Sequence, residues 1–376
     1  MNNTPCIDYM YENEYKTKMS KLILEDYENK NQVKMNEFSD CYILSVKFVS
    51  GVENPSWGLG GVLKDGNIVP SSIIQGAFGG YYDFDKKLCD EIEETVIHIP
   101  IVKDHWGHFL IDVLCRFWFI NLPEFKNFTI TCCVNLKTPD IVGNFLHVFE
   151  LLGVADRLRL ITKPTHCKKL FIPDYSLGFN RSWSNKYLEV IKNLLLKTPL
   201  NNKYKHKKVY FTRTRFLKSR IFEIGEKQIE KAFRKIGFEI LSPEKMSIEE
   251  QILCFQEADE IVSLSGTIPH NIVFARDGLR FTILNRQPVI LLPQLRINQM
   301  MSHVQIYYVD VWHPIMKINP KPYGRGGAWI YISQKLSDYF YEKYSVNVKV
   351  TNSLILFFQR LHWCAVQLFD YIWSKR

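Results

Sequence analysis

The sequence contains no run approaching the ~20 apolar residues that a membrane-spanning helix needs. Its first residues, MNNTPCIDYMYENEYKTK, have no apolar core of the kind a secretory signal requires. No C-x-x-C spacing occurs among the nine cysteines, which removes the common zinc and thiol-redox frameworks. An odd count scattered through apolar surroundings reads as reduced, buried thiols of a cytosolic protein. Internal repeats and low-complexity tracts are absent. Asp83-Phe84-Asp85 has the letters of a metal-binding carboxylate pair but falls in an early aromatic hairpin, not at a strand end, so no essential metal is expected. Acidic residues are also missing from one long stretch, between Glu189 and Glu223.

That acid-free stretch holds Lys203, Lys205, Lys207, Lys208, Arg213, Arg215, Lys218 and Arg220. It accounts for much of the net charge of +9, a balance suited to an anionic ligand or an acidic membrane surface. At 376 residues with 46% apolar content the chain is long enough for two domains, each with its own core. The polar, Pro-containing run Lys197–Lys208 is the best linker candidate. It suggests an N-terminal lobe over residues 1–200, a second lobe over 201–320, and C-terminal helices over 321–376.

From Val209 to Gly278 strands and helices alternate. Lys208–Thr212 is a β-branched and aromatic run. Ile229, Phe233 and Ile236 recur at helical spacing, Phe238–Leu241 is a second strand, Glu249–Glu257 a second helix and Glu260–Leu264 a third strand. Such repeats imply a parallel sheet with crossover helices, and in such sheets ligands sit beyond the carboxyl ends of the strands. Two features gather at that edge. One is the arginines that follow the first strand. The other is the turn Ser265-Gly266-Thr267-Ile268-Pro269-His270-Asn271, in which Ser265 or Thr267 can cap a helix and Pro269 suits its first turn. A helix start with free N–H groups attracts anions, so the pair points to a phosphate-bearing ligand. Phe281–Asn285 is a further strand, whose end offers Asn285 or Arg286 to the same ligand.

The first half alternates as well. Strands are expected in the region Cys41–Asp85, with a hairpin turn at Lys64-Asp65-Gly66-Asn67. Others follow at Glu94–Pro100, Phe128–Val134, Arg157–Thr162 and Leu170–Pro173, with a helix over Ile141–Leu152. After Glu94–Pro100 comes Asp104-His105-Trp106-Gly107-His108-Phe109-Leu110-Ile111-Asp112, which opens an apolar helix. Its His108 and Asp112 are four apart and share one face. An imidazole beside a carboxylate is a general-base pair: Asp112 orients His108, or takes a hydroxyl proton itself. The plainer alternative is an ordinary helix start with a solvated Asp.

The run YFTR…R…E, followed by EEQI…F..A..IVSLSGT..HN..F, resembles glycosyltransferase family 61. Arg213 and Arg220 fall on the family's arginines, Glu226 on a common Glu, Gln251 on its Gln, and Gly266 and Asn271 on its turn. The family's Asn-x-x-His motif with an acid four residues on is matched by His108 and Asp112, with His105 standing at the Asn. Two departures occur: Gly225 stands where the family often has Asn, and Ser265-Gly266-Thr267 replaces His-Gly-Ala, which leaves His270 as the imidazole near the donor. The resemblance implies an α/β fold of two facing Rossmann-like domains, the GT-B architecture, with the acceptor on the first lobe and the donor on the second. It also implies inverting transfer of sugar from a nucleotide-sugar donor, UDP-linked in this expectation, to a glycan or lipid-linked glycan acceptor. His108 and Asp112 would be the catalytic pair. Arg213, Arg220, Gln251, Ser265, Gly266, Thr267, His270 and Asn271 would bind the donor, with His105, Arg215 and Asn285 as further contacts. No cofactor is expected beyond the nucleotide-sugar substrate. Trp183 and Tyr187 are candidates to stack on a sugar face.

Two other classes compete. A different anion-dependent transferase of polysaccharide modification would share the architecture, and a nucleic-acid-binding protein would use the Lys203–Arg220 run, although no helix-turn-helix, zinc or RNA-binding signature accompanies it. The apolar end, Leu354–Trp373, reads as a helix that packs back on the first lobe or lies at a membrane surface with Trp363, Trp373, Lys375 and Arg376 at the lipid. The expected setting is a bacterial enzyme of capsule or lipopolysaccharide synthesis, cytoplasmic or peripheral to the inner face of the membrane, with no nucleic-acid partner.

Overall fold

The computed structural model describes residues 7–9, 20–22, 28–30, 32–74, 76–134, 140–178, 182–215, 223–289, 291–318 and 328–374. The chain divides into two compact units: residues 28–197 form one, and residues 1–27 with 198–376 form the other. Both are mixed α/β.

The 28–197 unit is built on an eight-stranded sheet. Its order is Asn67–Ile68, Leu59–Lys64, Met35–Lys47, Thr165–Pro173, Val96–Val102, Thr129–Val134 and Leu158–Ile161, with Asp90–Ile92 added beside Thr165–Pro173. The last four of the ordered strands pair in parallel. All seven residues of Val96–Val102 are buried, as expected of a strand covered on both faces. The first three strands pair antiparallel, and Met35–Lys47 joins them antiparallel to Thr165–Pro173. The alternating β–α pattern alone suggests a Rossmann-like lobe; the observed sheet is half antiparallel. One of these antiparallel pairs has a local cause, since Asp65 (φ 49°) and Gly66 (φ 79°) form the two-residue turn that folds Leu59–Lys64 back onto Asn67–Ile68.

The other unit carries six parallel strands in the order Ile7–Tyr9, Gln305–Asp310, Arg280–Asn285, Glu260–Leu264, Lys208–Phe211 and Glu239–Leu241. Counted from Lys208–Phe211, the main five strands follow the 2-1-3-4-5 order of doubly wound sheets. Alternate residues serve opposite faces: Tyr210 stacks on Phe233 at 5.1 Å and Phe211 on Phe255 at 5.7 Å. The helix Glu226–Lys235 and the helix Gln334–Tyr344 cover the Tyr210 face through Phe233, Leu336 and Phe340.

The C-terminal helix Ser353–Ser374 takes part in the same cluster through Trp363 and Leu356. Gln359 accepts a hydrogen bond from Trp329 Nε1 at 2.9 Å. This much of the helix is therefore held by its own unit. The side chain of Trp373, and Lys375 and Arg376, lie outside the described residues. No helix among the described residues is long and apolar enough to cross a membrane. Among the described residues eight cysteines are free thiols, and burial pushes the Cys132 thiol up to about 12, so Cys132-Cys133 belongs to the core.

Candidate active site

In the parallel unit the sheet reverses its winding at Lys208–Phe211, which has Glu239–Leu241 on one side and Glu260–Leu264 on the other. A ligand crevice in a doubly wound sheet opens beyond the carboxyl ends of the strands at such a reversal. Arg213 follows one of the two strands there and Ser265-Gly266 follows the other. The sheet divides the basic run unequally. Lys203, Lys205 and Lys207 precede the strand and so lie at its opposite end, where Lys203 pairs with Glu250 and Lys207 with Glu239 at 2.9 Å. Of the run's cations among the described residues, Arg213 and the exposed Arg215 follow the strand at its carboxyl edge. Lys218 and Arg220 lie outside the described residues.

Arg213 is mounted from below. Its backbone N–H donates to Glu226 Oε1 at 2.8 Å, and Tyr210 OH and Thr212 Oγ1 lie 3.3 and 3.2 Å from the same oxygen. Thr214 Oγ1 donates to Glu230 at 2.8 Å. Glu226 is buried, and burial raises its pKa to about 7, opposed chiefly by the Arg213 N–H. The Arg213 side chain ion-pairs with Glu223, its Nε 3.0 Å from Oε1, and the same oxygen is bonded by Arg286 Nη1. Two guanidinium groups thus share one buried carboxylate. Gly225, which starts the helix below, sits at φ 97°, and a Cβ there would lie 1.9 Å from Ile330 O. Glycine is required at this position by that close approach, so the departure from the family's Asn has a steric reason.

The Ser265–Asn271 turn differs from the sequence expectation. From Ile268 onward it is already a 3-10 segment, Ile268–Phe274, and neither Ser265 nor Thr267 caps it with a side-chain bond. Seven residues of this kind make no anion-binding α-helix start. Ser265 Oγ instead accepts the Arg286 N–H at 3.1 Å and ties two strand ends together. Gln251 and Asn271 bond to one another at 3.0 Å, and Gln251 also donates to Pro243 O. His270 Nδ1 pairs with Gln294 at 2.6 Å. All three side chains are buried, so they hold the turn in place from behind. Ser265, Gly266 and Asn285 line a small pocket with Gln294 and Tyr308, and Asn285 donates to Asp310 at 3.2 Å. Asp83 and Asp85 are engaged locally: Asp83 accepts from Tyr81 OH at 3.0 Å, and Asp85 from the Lys87 N–H at 2.9 Å.

In the 28–197 unit, Trp106–His108 makes one α-turn. A wider π-type turn follows over Phe109–Val113, then a 3-10 run over Leu114–Asn121. Every residue from Phe109 to Phe119 is buried except Asp112. His108 Nδ1 and Asp112 Oδ2 are 2.7 Å apart, with the two side chains 37% and 12% exposed, so the imidazole reaches solvent while the carboxylate behind it is shielded. An ionised Asp112 accepts from Nδ1–H, which leaves the lone pair on Nε2. His105 precedes the turn with its ring 4.8 Å from His108. Desolvation holds its pKa below the ordinary imidazole value. Trp57 stands edge-on to His108 with ring centroids 4.4 Å apart.

The irregular helix leaves carbonyls without helical partners, and the tertiary fold takes them up. Ser176 donates to Cys115 O from both its N–H and its hydroxyl, and Tyr187 OH donates to Leu110 O at 3.3 Å. Tyr187 is therefore a buried strut and not a platform for sugar. Arg116 is fully buried, donates to Pro173 O at 2.7 Å and lies 3.6 Å over the Tyr175 ring. Among the described residues, neither its Nε nor its Nη2 has an acceptor. His98 lies buried nearby, bonded to Thr131 Oγ1, with its pKa lowered to about 3 by burial and then by Arg116.

The segment from Trp106, at the head of the dyad helix, to Thr282 matches the family model described as Glycosyltransferase 61 (residues 106–282). The chain carries a glycosyltransferase family 61 domain. The protein is a glycosyltransferase, and its substrates are a sugar donor and a glycan acceptor. No curated protein matches the chain. The family segment includes His108, Asp112, Arg213 and the Ser265–Asn271 turn, and it stops short of Asn285 and Arg286. Sequence reasoning missed Trp57, Arg116 and Glu223. Arg116 had a signal, an isolated cation in an apolar helical run; Trp57 and Glu223 had none, because their partners are distant in the chain.

Proposed function

We propose that the protein is an inverting glycosyltransferase using a nucleotide-sugar donor, UDP-linked, with His108 as the base and Asp112 as its orienting carboxylate. The observation that carries this is the 2.7 Å Nδ1–Oδ2 bond, which frees Nε2 to accept a proton. The acceptor hydroxyl oxygen attacks the anomeric carbon from the face opposite the leaving group. Its proton passes to Nε2, and the bond from that carbon to the phosphate oxygen breaks with its electron pair leaving on the nucleoside diphosphate. Arg213, held by Glu226 and sharing Glu223 with Arg286, supplies positive charge to that diphosphate; the resemblance adds Arg220. Ser265, Gly266 and Asn285 are assigned to the donor side together with Arg215 at the exposed strand exit, and Gln251, His270 and Asn271 support the turn. In this reading the arginines do electrostatically what a metal does elsewhere, so no metal is required. The GT-B arrangement of facing lobes belongs to the proposal, as does a role in bacterial capsule or lipopolysaccharide synthesis at the cytoplasmic face of the membrane. Exposed Leu354, Phe357, Phe358 and Leu361 on the C-terminal helix favour a peripheral membrane contact.

The test is a thermal-shift titration with nucleoside diphosphates and nucleotide sugars, with and without divalent cation. One base should stabilise the protein, and Arg213→Ala should weaken that response at least tenfold, about 1.4 kcal/mol. An undiminished response in Arg213→Ala, or stabilisation only when metal is present, would overturn the assignment.

A further inference from the structure

The aromatic ring nearest the base comes from outside the family segment. Trp57 lies upstream of residues 106–282, yet its indole is edge-on to His108 at 4.4 Å. The residue is half-buried, packed on the core cluster of Val46, Val62 and Phe78. It therefore presents an accessible part beside His108, which is itself 37% exposed.

Its mount is rigid. The Trp57 N–H donates to Ala77 O at 2.8 Å and the Gly58 N–H to Pro55 O at 2.8 Å, while the Gly79 N–H returns to Gly58 O at 3.1 Å. Gly58 has φ 97°, and a Cβ there would lie 2.9 Å from Val46 Cγ1 and 3.1 Å from Lys47 O. The chain is drawn so close to the strand beneath it that only glycine fits, and Trp57 is fixed one residue before that point. Phe48, 53% exposed, stands against the same glycine, its ring 3.3 Å from that Cβ position. The His105 ring neighbours His108. Trp offers a large, rigid contact area at low entropic cost. An accessible indole on a fixed loop beside a base that must receive a hydroxyl proton suits one ligand class, the apolar face of a sugar ring.

We propose that Trp57, with Phe48 against the adjoining Gly58, is the wall of the acceptor subsite, and that it selects a glycan acceptor by the face of the sugar ring whose hydroxyl is presented to His108. The proposal rests on the dyad reading only for the direction in which that hydroxyl points; the subsite itself stands on Trp57. Because this wall belongs to the Leu59–Lys64 hairpin region and not to the family segment, acceptor choice is a property of this chain's own N-terminal sheet.

The test is saturation-transfer difference NMR on the full chain. The probes are methyl glycosides of the common sugars, with glycerol as a control that has hydroxyl groups but no ring face. At least one glycoside should receive saturation on one ring face in the wild type. The signal should fall at least fivefold in Trp57→Ala and persist in part in Trp57→Phe. Glycosides indistinguishable from glycerol, or a Trp57→Ala spectrum equal to that of the wild type, would overturn the subsite. If Trp57→Ala does not fold, Trp57→Phe decides: an unchanged ring-face pattern counts against the proposal and a weakened one supports it. Full transferase activity in His108→Ala would refute the dyad while leaving the Trp57 result standing, so the two failures are separable.

Discussion

Glu226 offers the sharpest quantitative test of how the Arg213 mount is built. Its carboxyl is buried and receives the Arg213 N–H at 2.8 Å, with Tyr210 OH and Thr212 Oγ1 at 3.3 and 3.2 Å. Burial raises its pKa from 4.5 to about 7, with the Glu223 charge adding and the Arg213 N–H opposing. Between those two values the folded protein binds a proton that the unfolded chain releases. The stability from this group is therefore fully present below pH 4.5 and is lost as pH rises through 7. A displacement of that size is worth roughly 3 kcal/mol. Glu226→Gln keeps a carbonyl acceptor for the three donors and never ionises, so it escapes the loss. The variant should match the wild type near pH 5 and exceed it by about 3 kcal/mol above pH 8. For a unit of this size that is about 6–12 °C in Tm. Thermal unfolding of both proteins from pH 5 to pH 9, read on the transition that carries the parallel unit, measures the gap. Parallel curves, or a Gln variant less stable at pH 8, would refute the claim that a buried, near-neutral carboxyl supports Arg213.

Asp112→Asn should leave the fold intact and lower kcat by about 10²–10⁴, because the imidazole loses its tautomer lock; equal kcat in a steady-state assay would refute the orienting role. Gly225→Ala forces a Cβ to within 1.9 Å of Ile330 O at a left-handed φ, and should cost about 3 kcal/mol or more in denaturant unfolding. Arg116→Lys keeps the charge but loses the planar stack on Tyr175, and should destabilise the protein by about 2 kcal/mol in the same experiment.

Much of the parallel unit was legible from local pattern. Its strands announce themselves as short β-branched runs, its helices as apolar residues at three and four spacing, and strand–helix alternation of that length leaves a parallel sheet as the economical topology. That logic put Arg213 and Ser265-Gly266 at the carboxyl edge. His108 and Asp112 were legible for the same reason, since four residues on a helix make one face and the bond between them needs no distant partner.

What chain order could not contain was which end of a strand each cation serves and what it meets there. The basic run looked like one patch, but the strand Lys208–Phe211 passes through it, so Lys203 and Lys207 sit at the far end beside Glu250 and Glu239. The turn at Ser265 looked like a helix cap, but its hydroxyl is taken by the Arg286 N–H of the neighbouring strand. The dyad helix looked regular; Ser176 and Tyr187 hold the carbonyls that a π-type and 3-10 path releases. Sequence fixes hydrophobic period and backbone freedom, which act over a few residues. Only the closed tertiary structure decides the pairing of buried polar groups, because burying one without a partner costs more than any local preference can supply.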